Sequence, residues 1–318
     1  MRNERIGLAA MVACLPAFAF ADSPVVVADI APVHSLVAQI MDGVGAPELL
    51  LPASASPHDY ALRPSDAAAL QSADAVFWVG SDLTPWLEPT LEALSGDAVT
   101  VSLLDAEQTL TLDFREGAVF AAPSDDHDHD HDHDHDHEDE HDHDHSGTDP
   151  HAWLDPVNAR AWLGAIAAEL SVLDPENAET YQRNLEVAQK DIDLLTTQLQ
   201  SNLASLNSIR FVVLHDGYRY FEDRFGLSAA GAISESDATS PSAGRVRDIR
   251  RAIEEQGVTC LFTEVQLQSS LVDVLASETE VKVLTLDPLG ALLEPGKTLY
   301  GEKMRNIASS FEACQASE

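Results

Sequence analysis

Basic residues are scarce in this chain. Its 318 residues carry 18 Lys and Arg against 54 Asp and Glu, a formal net charge of -36. Binding a phosphate backbone needs clustered Lys and Arg, so nucleic acid is excluded as a partner. An acidic surface favours cations instead. Glycine and proline are also modest, 16 of each, while hydrophobic residues make up 45%, so the chain reads as globular rather than generally disordered. Beyond the first 21 residues no apolar run approaches the roughly 20 residues that span a bilayer, which excludes direct membrane insertion of the mature chain. There is no H-E-x-x-H, the helical signature of zinc peptidases, and no close sequence repeat between the two halves.

What the sequence does have is histidine in one place. Between Asp125 and His145 lie nine histidines (His127, His129, His131, His133, His135, His137, His141, His143 and His145) and twelve acidic residues, with no Lys or Arg. Without those acids the net charge is still about -24 (-36 + 12), so the remainder is acidic in its own right. Imidazole suits zinc, copper, iron and nickel, and carboxylate suits harder cations. Like charges repel and nothing apolar is available to bury, so the tract is expected to be disordered. It reads as an auxiliary metal-collecting loop, the alternative being a solvated acidic loop without effect.

Residues 1–21 follow a different pattern. Arg2 and Arg5 precede an apolar run from Ile6 to Phe20, and Ala19-Phe20-Ala21 supplies an A-x-A site before Asp22. This is a cleavable secretory signal peptide. Cys14 as a lipid anchor is the alternative, but it lies early in the run and a later cleavage site follows. Cleavage leaves Cys260 and Cys314. An even pair in an exported chain reads as a disulfide, with two buried free thiols as the other possibility.

From Pro24 onward, short β-branched runs alternate with amphipathic segments. Strands are predicted at Val25–Asp29, Leu49–Leu51, Ala75–Val79 and Val99–Leu103, with helices at Val33–Met41, Pro64–Ala73 and Trp86–Leu94 between them. After the tract and a helix beginning near Pro156, Pro175–Leu206 shows apolar residues at steps of three and four throughout. As one helix of about 32 residues it would reach roughly 48 Å, enough to join two domains, although a coiled-coil arm has the same pattern. The second half repeats the scheme. Its strands are Ile209–Leu214, Ala229–Ile233, Thr259–Thr263 and Lys282–Asp287, and its helices are Tyr218–Phe225, Ala243–Gln256 and Ser269–Ser277. Strands alternating with helices imply βαβ units and parallel sheets.

Open parallel sheets bind ligands outside the carboxyl ends of their strands. His58 lies in the loop after the second strand, His151 in the connection DPHAWLDP and His215 directly after FVVL. Asp287 ends the last strand. Each has an ordinary explanation: a lone His is more often a hydrogen-bonded loop residue, and Asp287 before Pro288 can shape a turn. His34, at a helix start, reads as structural. As a set, however, three imidazoles and one oxygen suit tetrahedral zinc, and their distribution over both halves places the metal between domains.

With these residues in view the chain resembles the metal-binding solute-binding proteins of ABC importers, and specifically the zinc-uptake branch usually called ZnuA. The likeness runs through the whole mature chain. It is carried by HDYALRPSD, the His-rich acidic insert, HAWLDP, NLEVAQKDIDLL, VVLHDGYRYFEDRFGL, TCLFTE, LDPLG and the terminal Cys. The resemblance implies an α/β fold of two four-stranded parallel-sheet (β/α)4 domains joined by a long rigid helix, with the metal in the cleft. The chain would then divide into a signal peptide (1–21), an N-terminal domain (22–155, with the loop at 124–148), connecting helices (156–207, the long one at 175–206) and a C-terminal domain (208–318). It places metal ligands at His58, His151 and His215. Some zinc members have Glu just before the first ligand, where this chain has Pro57, so Asp287 or water is left as the fourth ligand. The manganese branch typically has Glu at the position of His215, which favours zinc here. Cys260 and Cys314 match a disulfide of the zinc members.

The function this implies is periplasmic capture of Zn²⁺ and delivery to the membrane permease of an ABC transporter, by a monomer that is not an enzyme. Zinc would be the cargo rather than a catalytic cofactor. Since imidazole must be deprotonated to bind, affinity is expected to fall on acidification through roughly pH 6–7. The rivals are a carrier of Mn²⁺, Ni²⁺ or Cu²⁺, a metal-dependent adhesin, a periplasmic zinc metallochaperone, and a zinc hydrolase with Glu264 or Asp287 as base.

Overall fold

The computed structural model describes residues 23–120, 147–234, 240–267, 270–279 and 281–315. The expected signal peptide with Cys14, and the tract from His127 to His145, lie outside the described residues.

The first half runs β1 (Val26–Ala28), α1 (Ala31–Ile40), β2 (Glu48–Leu49), α2 (Pro64–Ser72), β3 (Ala75–Trp78), α3 (Glu88–Leu94) and β4 (Val99–Ser102). All pairings are parallel, in the order β2-β1-β3-β4. β1 and β3 are buried along their whole length, as strands covered on both faces must be, and this is why they read as unbroken apolar runs. The strands match their sequence-predicted positions to within a residue or two. His34 is buried on α1, its Nε2 3.1 Å from the Pro47 carbonyl oxygen, and is a core histidine as expected.

Two helices follow, α4 (Pro156–Leu173) and α5 (Ala178–Leu203), with a tight turn at Pro175–Asn177 between them. The expectation of one helix over 175–206 is corrected here. Asp174 receives hydrogen bonds from the Asn177 amide and the Tyr181 hydroxyl, both 2.8 Å, so the corner is built from side chains and α5 starts three residues later. At 26 residues α5 is about 39 Å long. Its apolar stripe (Tyr181, Ala188, Ile192, Leu195, Leu199, Leu203) is buried against α1, α4 and the C-terminal helix.

The second half runs β5 (Phe211–His215), α6 (Arg219–Phe225), β6 (Ala229–Ser234), α7 (Ala243–Gln256), β7 (Cys260–Glu264), α8 (Ser270–Thr279), β8 (Lys282–Leu286) and α9 (Leu299–Gln315). Its sheet is again parallel, in the order β6-β5-β7-β8. The two sheets thus share one topology without shared sequence.

Helix α9 ties the halves together. Phe311 packs among Phe211, Phe221 and Phe262, with ring centroids 5.0, 5.6 and 4.7 Å away; burying each such ring is worth about 1.5–3 kcal/mol. At its other end the Tyr300 backbone N–H donates to Ser35 Oγ (3.0 Å) and its hydroxyl to the Trp153 carbonyl (2.9 Å). One apolar cluster runs without a break from β1 and β3 through α4 and α5 to Phe211, Phe262 and Phe311. Cys260 and Cys314 form a disulfide that fastens the end of α9 to β7. Closing a loop across their separation of 54 residues stabilises the fold by about 4 kcal/mol in the chain-entropy account.

Residues 112–120 have no regular structure of their own, yet they reach the second sheet. Val119 bridges Gly231 in antiparallel fashion, the Phe120 N–H donates to the Ala230 carbonyl (3.0 Å) and the Ala232 N–H to the Ala118 carbonyl (3.1 Å). A Cβ at Gly231 would collide with the Ala118 carbonyl oxygen, so glycine is required there.

Candidate metal centre

Three chain segments deliver three imidazoles to one point. His58 stands in the loop between β2 and α2, which Trp86 anchors by donating from Nε1 to the Pro57 carbonyl at 2.8 Å. His151 caps the short helical turn Ala152–Leu154. His215 is the last residue of β5. His151 and His215 are buried and His58 is half-buried. The Nε2 atoms of His58 and His151 are 3.3 Å apart, as are those of His151 and His215. One ligand atom from each of the three lies within 4.8 Å of the other two.

Two carboxylates decide which nitrogens face inward. Asp149 Oδ1 accepts from the backbone N–H of His151 at 3.0 Å and from its ring Nδ1 at 2.7 Å. Glu264, at the end of β7, accepts from His215 Nδ1 at 2.5 Å. A carboxylate partner on Nδ1 fixes the tautomer, leaves the Nε2 lone pair free and raises the basicity of the ring. Burial pushes the Asp149 carboxyl up to about 6, against the opposing pull of the His151 backbone N–H and the nearby charge of Arg115. The fully buried Tyr218 beside Glu264 is held well above the usual phenol range, first by desolvation and then by the Glu264 charge, although its hydroxyl makes no hydrogen bond of ordinary geometry among the described residues.

With Nδ1 of His151 and of His215 turned to carboxylates, their Nε2 atoms face each other at 3.3 Å, an arrangement that a cation between them would favour. A tetrahedral zinc with Zn–N bonds of 2.0–2.1 Å has nitrogen–nitrogen edges of about 3.3–3.4 Å, which is the 3.3 Å separation of both pairs. The imidazoles line a cavity of about 20 Å³ together with Trp153, Pro288 and Leu289. A single water needs about 10–15 Å³, so the space suits an ion with one small ligand.

Asp287, expected as the fourth ligand with water as the alternative, is held by its own turn. Its Oδ1 accepts from the backbone N–H groups of Gly290 (2.8 Å) and Ala291 (2.9 Å), and its Oδ2 from that of Leu292 (3.0 Å). Those three donors turn the carboxylate into the organiser of the loop after β8. The turn reading, set beside the ligand reading from the sequence, describes its present contacts. Glu264 and Asp149 are the residues that sequence reasoning missed as imidazole partners. Asp149 stood two residues before His151 within DPHAWLDP, a usable signal, while Glu264 had been considered only as a hydrolytic base.

The family profile described as "Zinc-uptake complex component A periplasmic" matches residues 26–314. A "High-affinity zinc uptake system protein ZnuA" of Paracoccus denitrificans is 44% identical over 321 residues, covering 99% of this chain and 98% of its own. The protein of the same name from Brucella abortus is 41% identical over 305 residues, 91% of each chain. A crystal structure of a ZnuA deletion mutant with zinc bound superposes with a TM-score of 0.75 over 93% of this chain and 99% of that one; at 22% identity it speaks for the fold alone. With two parallel sheets of one topology, three converging imidazoles and relatives this similar along almost the whole chain, the protein belongs to the ZnuA family of periplasmic zinc-uptake components.

Proposed function

We propose that this chain captures Zn²⁺ in the periplasm through His58, His151 and His215 and hands it to the membrane permease of an ABC importer. The observation that carries the reading is the pair of 3.3 Å Nε2 separations, which match the edges of a tetrahedral zinc site. Water completes the shell, because Asp287 is engaged by its own turn. An all-imidazole protein set favours zinc over manganese. A continuous apolar core between the halves supports domain closure by a small tilt and local loop movement rather than a wide hinge. The domain limits follow the two sheets, at 22–155 and 208–318 with α4 and α5 between. No helix among the described residues is long and apolar enough to cross a membrane, in keeping with an exported monomer released by its signal peptide.

The family is one of zinc-binding solute-binding proteins, which is not an enzyme class.

The auxiliary role of the tract is tested by deleting residues 125–145 and titrating zinc calorimetrically. One tight site is expected to persist while the weaker, additional zinc equivalents vanish. Loss of the tight site with the tract would overturn the assignment to the three histidines. Acidification through roughly pH 6–7 weakens the tight site as imidazole protonates.

A further inference from the structure

The two limbs that frame the tract, residues 112–120 and 147–149, are held to the second half at α6. The Tyr220 hydroxyl accepts from the Leu112 N–H (2.9 Å) and donates to the Asp149 carbonyl (2.8 Å). Arg219 donates to the Asp113 carbonyl. Arg115 goes deeper. Its Nε donates to both oxygens of Asp216 at 3.0 and 3.1 Å, and its Nη1 and Nη2 donate to Glu222 at 2.8 and 3.0 Å. Its guanidinium carbon lies 4.0 Å from the centre of the Phe120 ring. Both carboxylates are buried, Asp216 at 5% exposure and Glu222 at 1%.

We propose that Arg115 is a positioning residue for the metal centre, fixing the His215 segment against the limb that carries Asp149 and His151. Asp216 directly follows His215, and successive side chains at a strand end point to opposite faces. Glu264 therefore holds residue 215 from one side while Arg115 holds residue 216 from the other. The peptide between them has little slack. Gly217 N–H donates back to the His215 carbonyl at 3.0 Å, and a Cβ at position 217 would collide with the His215 ring. From Arg115 the connection closes on the other imidazole. Phe114 N–H donates to the Gly147 carbonyl (3.2 Å), and Asp149 N–H to the Leu112 carbonyl (2.7 Å), two residues before His151. Asp216, Arg115, Leu112 and Asp149 thus form a continuous run of covalent and hydrogen-bonded links that joins His215 to His151 and sets the separation of two ligands. Lysine cannot reproduce it, because a point ammonium does not bridge two carboxylates with a planar fork.

This inference rests on the zinc reading above, and its test separates the two. Arg115→Lys and Arg115→Ala are compared in the full chain with wild type and with Arg160→Ala, which removes an exposed pair to Asp193. The readouts are tight-site zinc affinity by chelator competition and the visible spectrum of the Co²⁺ form, which reports ligand geometry. Both Arg115 variants are expected to lose about 10-fold or more in affinity, the scale of outer-shell changes at metal sites, with an altered Co²⁺ spectrum, while Arg160→Ala matches wild type. If Arg115→Ala does not fold, Arg115→Lys decides. A folded Arg115→Lys with wild-type affinity and spectrum would show the cluster to be structural only and overturn the proposal. A wild-type chain with no tight site would overturn the proposed function instead.

Discussion

Replacing His151 by alanine lowers zinc affinity at the tight site by about 10²–10³-fold. Structural zinc sites bind with about 10–16 kcal/mol over four ligands, so one ligand accounts for roughly 2.5–4 kcal/mol, and every 1.4 kcal/mol is a factor of ten. His151 should be the most sensitive of the three, because both 3.3 Å contacts meet at its Nε2. His215, buried at the end of β5 and fixed by Glu264, should follow closely. His58, half-buried in a loop, should show the smallest loss, since a loop ligand is the most easily replaced by water. Chelator competition in a background lacking residues 125–145 checks the order without interference from the tract. Three single variants with unchanged affinity would remove the basis of the site.

The second large effect comes from residues that never touch the metal. Glu264→Gln preserves shape and an acceptor oxygen but removes the charge that pairs with His215, and an affinity loss of about 10-fold is expected; Glu264→Ala should approach about 100-fold. Asp149→Asn should act in the same way on His151. The discriminating measurement is thermal unfolding of the metal-free variants. Glu264 is buried at 5% exposure, and glutamine keeps an acceptor oxygen for the His215 Nδ1–H, so the hydrogen bond can survive the loss of charge. Affinity should therefore fall in Glu264→Gln while the metal-free melting temperature changes little. A parallel fall in both would mean that Glu264 matters for folding rather than for aiming the imidazole.

The three converging histidines were legible from sequence because only four histidines lie outside the tract. His58 and His215 follow strands, where parallel α/β sheets bind, and His151 sits in the connection between the halves. Their carboxylate partners were not legible in the same way. With 54 acidic residues in the chain, residue type singles out none, and the pairing of Glu264 with His215 exists only once β5 and β7 lie side by side. Asp287 shows the opposite case. Asp-Pro-Leu-Gly fits a ligand and a turn equally well, and the N–H groups of residues 290–292 decide the contacts it makes.

The fold divides along similar lines. β-branched runs between amphipathic segments located the strands to within a residue or two. The long helix starts at Ala178 rather than Pro175 because Pro175–Asn177 wind as a tighter turn, which a proline at a helix start does not reveal. Helix α9 was readable from Leu299, Tyr300, Met304, Ile307, Ala308 and Phe311 at helical spacing, but the tail had been considered only as the bearer of Cys314. Residues 112–120 have no period to read. Their role lies in backbone hydrogen bonds to β6 and α6, which sequence does not reveal.

X-ray absorption on the zinc-loaded chain lacking residues 125–145 tests the three-imidazole site most directly. The expected result is one zinc per chain with three imidazole nitrogens and one oxygen at about 2.0–2.1 Å. A four-coordinate zinc with fewer than three imidazoles would contradict it.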